Sequence, residues 1–430
     1  MAYRLPPRVS VAARFATAAV VLGLFLCAPR PVGAYSVLAH QAVVDRAWET
    51  TIAPAIRARF PHASAQEIAQ ARAYAHGGSY IADLGYFPFG NRLFTDLVHY
   101  VRSGTFVDAM VADARTVDEY AFALGALSHH VADSIGHPEA TNRAVPEIYP
   151  KLRKKYGDVV TYADDHSAHL QTEFRFDVLQ VAHSPESLDL FKHAIAFEVA
   201  IPVLDRAFQE TYGLRLDDVF ADKDVAITTY RWAFRTVIHE ATGLAWELYR
   251  ADIQKLDPSM TPAAFVYDLS RDDFDKEFGK AYREPGYFAK FVAFFVKLVP
   301  NVGPLKRLPY KPLPLEARQR FERASARIGA EYRSLVTPAA ERRLEVANVN
   351  LDTGRPARHG DYEPADHAYA QLLDELAERR FADIPPGLRA DVLRFYGSDV
   401  GAASPTGNDD DDAQKIRGEL AALAAAGHPR

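Results

Sequence analysis

Histidines and carboxylates recur in this chain at spacings that suit metal ions. His129 and Asp133 are four residues apart, and so are His169 and Glu173. On a helix each pair shares one face. In the segment His129-His130-Val131-Ala132-Asp133-Ser134-Ile135-Gly136-His137, positions 129, 133 and 137 climb one face provided the helix continues past Gly136. His40, Asp83 and His99 lie upstream, and seven of the 15 histidines precede residue 140. A single His on an apolar helix is more often a hydrogen-bonded core residue than a ligand. Three polar residues aligned on an apolar helix, however, are costly to bury without a shared partner, and a metal is the economical one. Zinc takes imidazole nitrogen and carboxylate oxygen at about 2 Å, and catalytic zinc keeps a position open for water. The chemistry of such a set is metal-assisted hydrolysis.

The chain that must position these residues has 430 residues, 48% of them hydrophobic and 25% charged, an ordinary globular composition. Its start reads differently. Arg4, Arg8 and Arg14 precede an apolar stretch at 15–28 (FATAAVVLGLFLCA), followed by Pro29, Pro31 and the small-residue site Val32-Gly33-Ala34. This predicts a secretory signal cleaved between Ala34 and Tyr35, with an uncleaved anchor as the alternative. The expected location is therefore secreted or periplasmic. Cys27, the only cysteine, falls in that segment, so the mature chain is expected to lack disulfides.

Residues 36–250 read as helical. Ala39, Val43, Val44 and Ala47 recur at helical spacing. Ser64-Ala65-Gln66-Glu67 predicts a capping box. Residues 118–134 and 167–182 read as helices, the first apolar enough to be central. Alternating strand patterns are almost absent. The expected fold is all-α, a multi-helix bundle with long loops. The expected division is a signal at 1–34, a catalytic domain at 35–250, a mainly helical extension at 251–400 and a disordered acidic tail at 401–430. Within the tail, 413–426 has the alternative of a weak helix. A Phe-rich run at 287–299 (YFAKFVAFFVKLV) reads as a buried helix or as an amphipathic segment touching lipid.

The ordered set of residues resembles the bacterial zinc-dependent phospholipase C proteins, relatives of the single-strand-specific zinc nucleases. The resemblance runs over about 35–182, through Tyr35-Ser-Val-Leu-Ala-His40, Asp83 in GSYIADLGYFP, His99 in LVHYV, the His129/Asp133 helix and His169 with Glu173 in HLQTEF. It implies a site of about three zinc ions. One would take Asp83, His99, His129 and Asp133. The second would take the main chain of Tyr35, His40 and the bridging Asp133. The third would take His137, His169 and Glu173. Asp83 would also help to orient the nucleophile. Two departures stand out. Tyr35 replaces the usual Trp, and the His expected six residues after the bridging Asp is Glu139, with His137 two residues early. Either His137 or Glu139 could be that ligand; imidazole chemistry and helix geometry favour His137.

The implied reaction is hydrolysis of a phosphate ester, with a phospholipid or other phosphodiester as substrate and peripheral contact with a membrane. Net charge moves from −6 to −10 once Arg4, Arg8, Arg14 and Arg30 leave with the signal, which disfavours non-specific binding of nucleic acid. A nuclease of the related type is the second reading. A non-catalytic zinc-binding structural protein is the third. His239-Glu240 lacks the second His of a metalloprotease helix, and neither a phosphate-cradling glycine loop nor a Gly-x-Ser-x-Gly elbow occurs.

Overall fold

A computed structural model of the chain describes residues 37–183, 197–265, 313–339, 344–382, 384–397 and 410–426. Tyr35, the expected signal, the run at 287–299 and residues 401–409 lie outside the described residues, as do the side chains of His239 and Glu240. The fold is all-α. Among the described residues the only strand-like feature is one antiparallel bridge between Asn350 and Arg355.

The principal helices are α1 (Val37–Ala47), α2 (Ala65–Ile81), α3 (Arg92–Tyr100), α4 (Ser103–Asp113), α5 (Val117–Gly136), α6 (His166–Ala182), α7 (Ile201–Tyr212), α8 (Lys223–Leu256), α9 (Leu315–Ala339), α10 (Glu363–Glu378), α11 (Pro386–Tyr396) and α12 (Asp410–Ala425). Their starts are written locally. The Ser64 hydroxyl accepts from the Glu67 amide at 3.2 Å, and the Glu67 carboxylate accepts from the Ser64 amide at 2.7 Å. This is the expected capping box, which satisfies two helix-end donors at once. Thr116 caps α5 by accepting from the Glu119 amide, and Asp165 caps α6 by accepting from the Ala168 amide. Asp165 is thus cap chemistry, as its place before the helix suggests.

Helix α5 is the axis of the bundle. Tyr120, Phe122, Leu124, Leu127 and Val131 are all buried, and a helix apolar all round belongs in a core. Helix α2 lies against it unusually closely. A Cβ on Gly78 would stand 1.9 Å from the Phe122 carbonyl oxygen, and one on Gly125 would stand 2.0 Å from that of Ala75. Only glycine on each helix allows this approach. Helix α4 packs on α5 from another side, α7 packs on α4, and α6 packs on both α1 and α8.

The later helices close over the same core. Helix α9 lies along α5, where the Tyr332 hydroxyl donates to the Leu124 carbonyl at 2.9 Å, and Phe321 stacks on Phe176 of α6 at 4.6 Å. Helix α10 packs against α3. Between them the loop after residue 344 is threaded onto α3 and α4. The Leu351 amide donates to the His99 carbonyl at 3.1 Å, and the Ser103 hydroxyl donates to that of Val349 at 2.6 Å. One apolar core runs from Leu38 to Leu423. At the end of the chain residues 410–425 form a helix, close to the alternative at 413–426 and not the disordered tail expected there. Its acidic start masks an apolar stripe of Ile416, Leu420 and Leu423. Leu420 and Leu423 are buried, and the helix docks on α10.

Candidate metal centre

Six elements deliver side chains to one buried point. Helix α1 brings His40. The 3₁₀ turn Ala82–Tyr86 that ends α2 brings Asp83. Helix α3 brings His99, α5 brings His129 and Asp133, and α6 brings His169 and Glu173. His137 opens the π-helical turn His137–Thr141 that continues α5, and its amide donates to the Asp133 carbonyl. The backbone therefore continues past Gly136, the condition for 129, 133 and 137 to share a face. A wide turn of this kind is frequent at functional sites. It also separates the two candidates for the displaced ligand. His137 turns inward and is buried, whereas Glu139 faces outward and pairs with Arg327 of α9.

Asp133 stands at the centre. Its Oδ1 is 3.1 Å from His40 Nε2 and 3.6 Å from His137 Nε2. Its Oδ2 is 3.0 Å from His129 Nε2 and 3.5 Å from His99 Nε2. Asp83 Oδ1 lies 3.6 Å from His99 Nε2. On the far side, Glu173 Oε1 lies 2.9 Å from His169 Nδ1 and 3.7 Å from His137 Nδ1. Three groups result whose ligand atoms lie within 4.8 Å of one another: His40, His129 and Asp133; Asp83, His99 and His129; and His137, His169 and Glu173. Eight of the nine expected ligands are thus brought together, and the ninth, Tyr35, lies outside the described residues.

Neighbouring carbonyls set which imidazole nitrogen faces inward. His129 Nδ1 donates to the Ser79 carbonyl at 3.0 Å and His99 Nδ1 to that of Thr95 at 2.8 Å. A carbonyl only accepts, so Nδ1 of each ring keeps its proton, and the inward Nε2 is the nitrogen left to bind a metal once the ring is neutral. The third group is reversed. His169 Nε2 donates to Asn142 Oδ1 at 3.0 Å, an orientation set because Asn142 Nδ2 donates to the Asp352 carbonyl at 2.8 Å. His169 therefore offers Nδ1 to Glu173.

The electrostatics are those of a site built around positive charge. Burial favours a neutral His129, but the Asp133 and Asp83 carboxylates outweigh it and push its pKa up to about 9. Burial lowers His40 to about 4, with the charge of His129 acting the same way. Burial raises Asp83 to about 6 against the pull of His129 and His99. Burial would also raise Asp133, but His129, His40 and His137 hold it well below the usual carboxylate range. Glu173 is pushed well above its ordinary value by burial and by the charges of Asp133 and Asp352.

These residues fit zinc. Ligands at about 2.1 Å around a tetrahedral ion stand roughly 3.4 Å apart, which is the scale of the nitrogen–oxygen separations above. Asp83 Oδ1 and both Glu173 oxygens are buried without a hydrogen bond, an expensive arrangement unless a cation serves them. At His169 a lone pair and a carboxylate oxygen face each other at 2.9 Å, an approach that requires a proton or a metal between them.

Sequence reasoning missed what supports this centre from far along the chain. Asp352 is buried with Oδ1 at 3.8 Å from His137 Nε2, and its Oδ2 accepts from Tyr100 at 2.8 Å and Tyr362 at 2.6 Å. Tyr86 and Tyr162 flank His99 and His169, with ring centroids 6.0 and 5.8 Å away, and the Arg92 guanidinium sits over the Tyr86 ring at 4.9 Å. None of these has a spacing that would mark it in the sequence. His76 belongs elsewhere, paired with Asp45 at 2.9 Å. His130 turns away from the centre toward the Ser103 hydroxyl at 3.3 Å.

Residues 39–222 match the family model described as zinc dependent phospholipase C. Neither the curated proteins nor the solved structures gave a match to the chain.

Proposed function

We propose, for a chain that belongs through residues 39–222 to the zinc-dependent phospholipase C family, that it is a secreted phosphodiesterase hydrolysing the headgroup ester of phospholipids. The observation that carries the reading is the arrangement of three His/carboxylate groups around Asp133. His129 is shared by two of these groups, and Asp133 reaches toward His137 of the third. About three zinc ions suit this set, with Asp83, His99, His129 and Asp133 around one, His40, Asp133 and the main chain of Tyr35 around the second, and His137, His169 and Glu173 around the third. Signal removal at Ala34/Tyr35 would free the amino group that the second ion needs. Bound zinc supplies charge neutralisation for phosphoryl oxygens and a water whose pKa falls to about 7.

The chain's own residues have distinct tasks. Ser79 and Thr95 hold His129 and His99 in one tautomer through their carbonyls. Asp83, deprotonated above its raised pKa of about 6, accepts a hydrogen bond from the attacking water and so orients it. Asp133 keeps its charge throughout and balances the imidazoles. Tyr86 and Tyr162, both buried, lie beside His99 and His169 with the Arg92 guanidinium over the Tyr86 ring, an aromatic and cationic flank suited to a phosphodiester. Among the described residues no helix is long and apolar enough to cross a membrane.

Phosphatidylcholine and single-stranded DNA, offered side by side to the zinc-loaded protein, test the reading. Release of phosphocholine, lost on chelation and in His129→Ala and restored to the native chain by zinc, is expected. Cleavage of DNA alone would transfer the protein to the nuclease reading. Zinc binding without turnover of either would favour a structural role. Activity that survives chelation would overturn all three.

A further inference from the structure

We propose that Asp352 is a positioning residue of the metal centre, and that the loop carrying it selects which nitrogens of His137 and His169 face the third group. This inference rests on the reading that metal fills the site. It goes beyond it because the loop lies outside residues 39–222, the segment matched by the family model.

Six contacts carry the argument. The loop is locked onto α3 by the Leu351 amide, which donates to the carbonyl of His99, itself a candidate ligand, at 3.1 Å. The Asp352 carbonyl accepts from Asn142, and Asn142 in turn accepts from His169 Nε2. One backbone oxygen of the loop thereby determines which way the Asn142 amide points, and so that His169 presents Nδ1 to Glu173. The Asp352 side chain acts on the other histidine. Its Oδ2 is held by the hydroxyls of Tyr100 and Tyr362, which leaves Oδ1 aimed at His137 Nε2 at 3.8 Å. A hydrogen bond there needs a shift of about 1 Å. Asp133 Oδ1 also stands near that nitrogen, at 3.6 Å, but it is closer to His40, at 3.1 Å. Asp352 and Asp133 thus both face Nε2 of His137, which leaves Nδ1 for the position beside Glu173 at 3.7 Å. Partners of this kind fix the tautomer and raise the basicity of a metal-binding imidazole. Two buried tyrosines, Tyr100 at the end of α3 and Tyr362 just before α10, both donate to one carboxylate oxygen and hold it more rigidly than a loop carboxylate would stand alone.

The test is a calorimetric zinc titration of the chelator-stripped full chain, wild type beside Asp352→Asn and Asn142→Ala, with thermal unfolding of each metal-free protein. We expect one zinc equivalent to weaken by about 10- to 100-fold in both variants, the others holding their wild-type affinities. Wild-type affinity at every equivalent in Asp352→Asn would overturn the proposal. A wild-type chain that binds no zinc would overturn the metal reading instead. If Asp352→Asn does not fold, Tyr362→Phe decides. It removes one of the two hydroxyls, and we expect a several-fold weakening of the same equivalent; unchanged affinity there overturns the proposal equally.

Discussion

Asp133 faces four imidazoles with two oxygens, and the protons of this centre are its most testable property. His129 is held protonated up to about 9, Glu173 is pushed toward its neutral form by burial, and at His169 a shared proton must separate the lone pair from the carboxylate. Metal ligands must be deprotonated, so zinc has to expel these protons. Calorimetric titrations near pH 7 in two buffers of different ionisation enthalpy should give different heats, with a net release of protons and an affinity that rises with pH. Heats independent of buffer would count against this protonation pattern. The sign follows from the direction of the shifts: raised pKa values on His129 and Glu173 mean protons are present at pH 7 to be lost. Five of the eight ligand candidates were legible because helical spacing places 129, 133 and 137, and 169 and 173, on one face, whereas His40, Asp83 and His99 were implied only by the family resemblance. Asp352 was not legible, because nothing local connects it to residues more than 200 positions earlier.

The elements bring these residues together by close packing rather than by long side chains. Helices α2 and α5 touch backbone to backbone at Gly78 and Gly125, and this approach lets Ser79 reach His129. Gly78→Ala should therefore cost stability as overpacking does, about 1–3 kcal/mol. It should also weaken zinc binding by displacing the Ser79 carbonyl. Denaturant unfolding and zinc titration of the same variant check both effects, and a variant with native stability would show that the helices separate without cost. The helix starts were legible, since capping residues announce them. The helical spacing at Ala39, Val43, Val44 and Ala47 also announced α1. The π-helical turn at His137 was not legible as such, although it decides the contest between His137 and Glu139. A wide turn depends on what the following residues pack against, here Arg327 of α9 for Glu139 and the buried centre for His137.

At the scale of the whole molecule the centre and the core depend on each other. The metal-free chain buries Asp83, Asp133 and Glu173 together, and binding to the folded state alone raises stability by about 2.7 kcal/mol for each site at a ligand concentration 100 times its dissociation constant. Zinc should raise the Tm of the whole chain in a concentration-dependent way, and chelation should lower it. A melting curve indifferent to zinc would show that the ions, if bound, do not bind the folded state preferentially. The helices after residue 313 share this cooperativity, since α9 lies on α5 and α10 on α3. The tail that composition suggested would be disordered becomes α12 over 410–425, because an apolar stripe finds α10 to cover it. Read alone, the sequence determined the helical class, the ligand types and their order along the chain, since these depend on periodicity and chemistry within a few residues. Only the tertiary structure decided which nitrogen each imidazole offers, which of His137 and Glu139 enters the centre, and that Asp352 completes its wall. Those outcomes turn on carbonyls, hydroxyls and helix faces that meet across long stretches of chain, where local spacing carries no information.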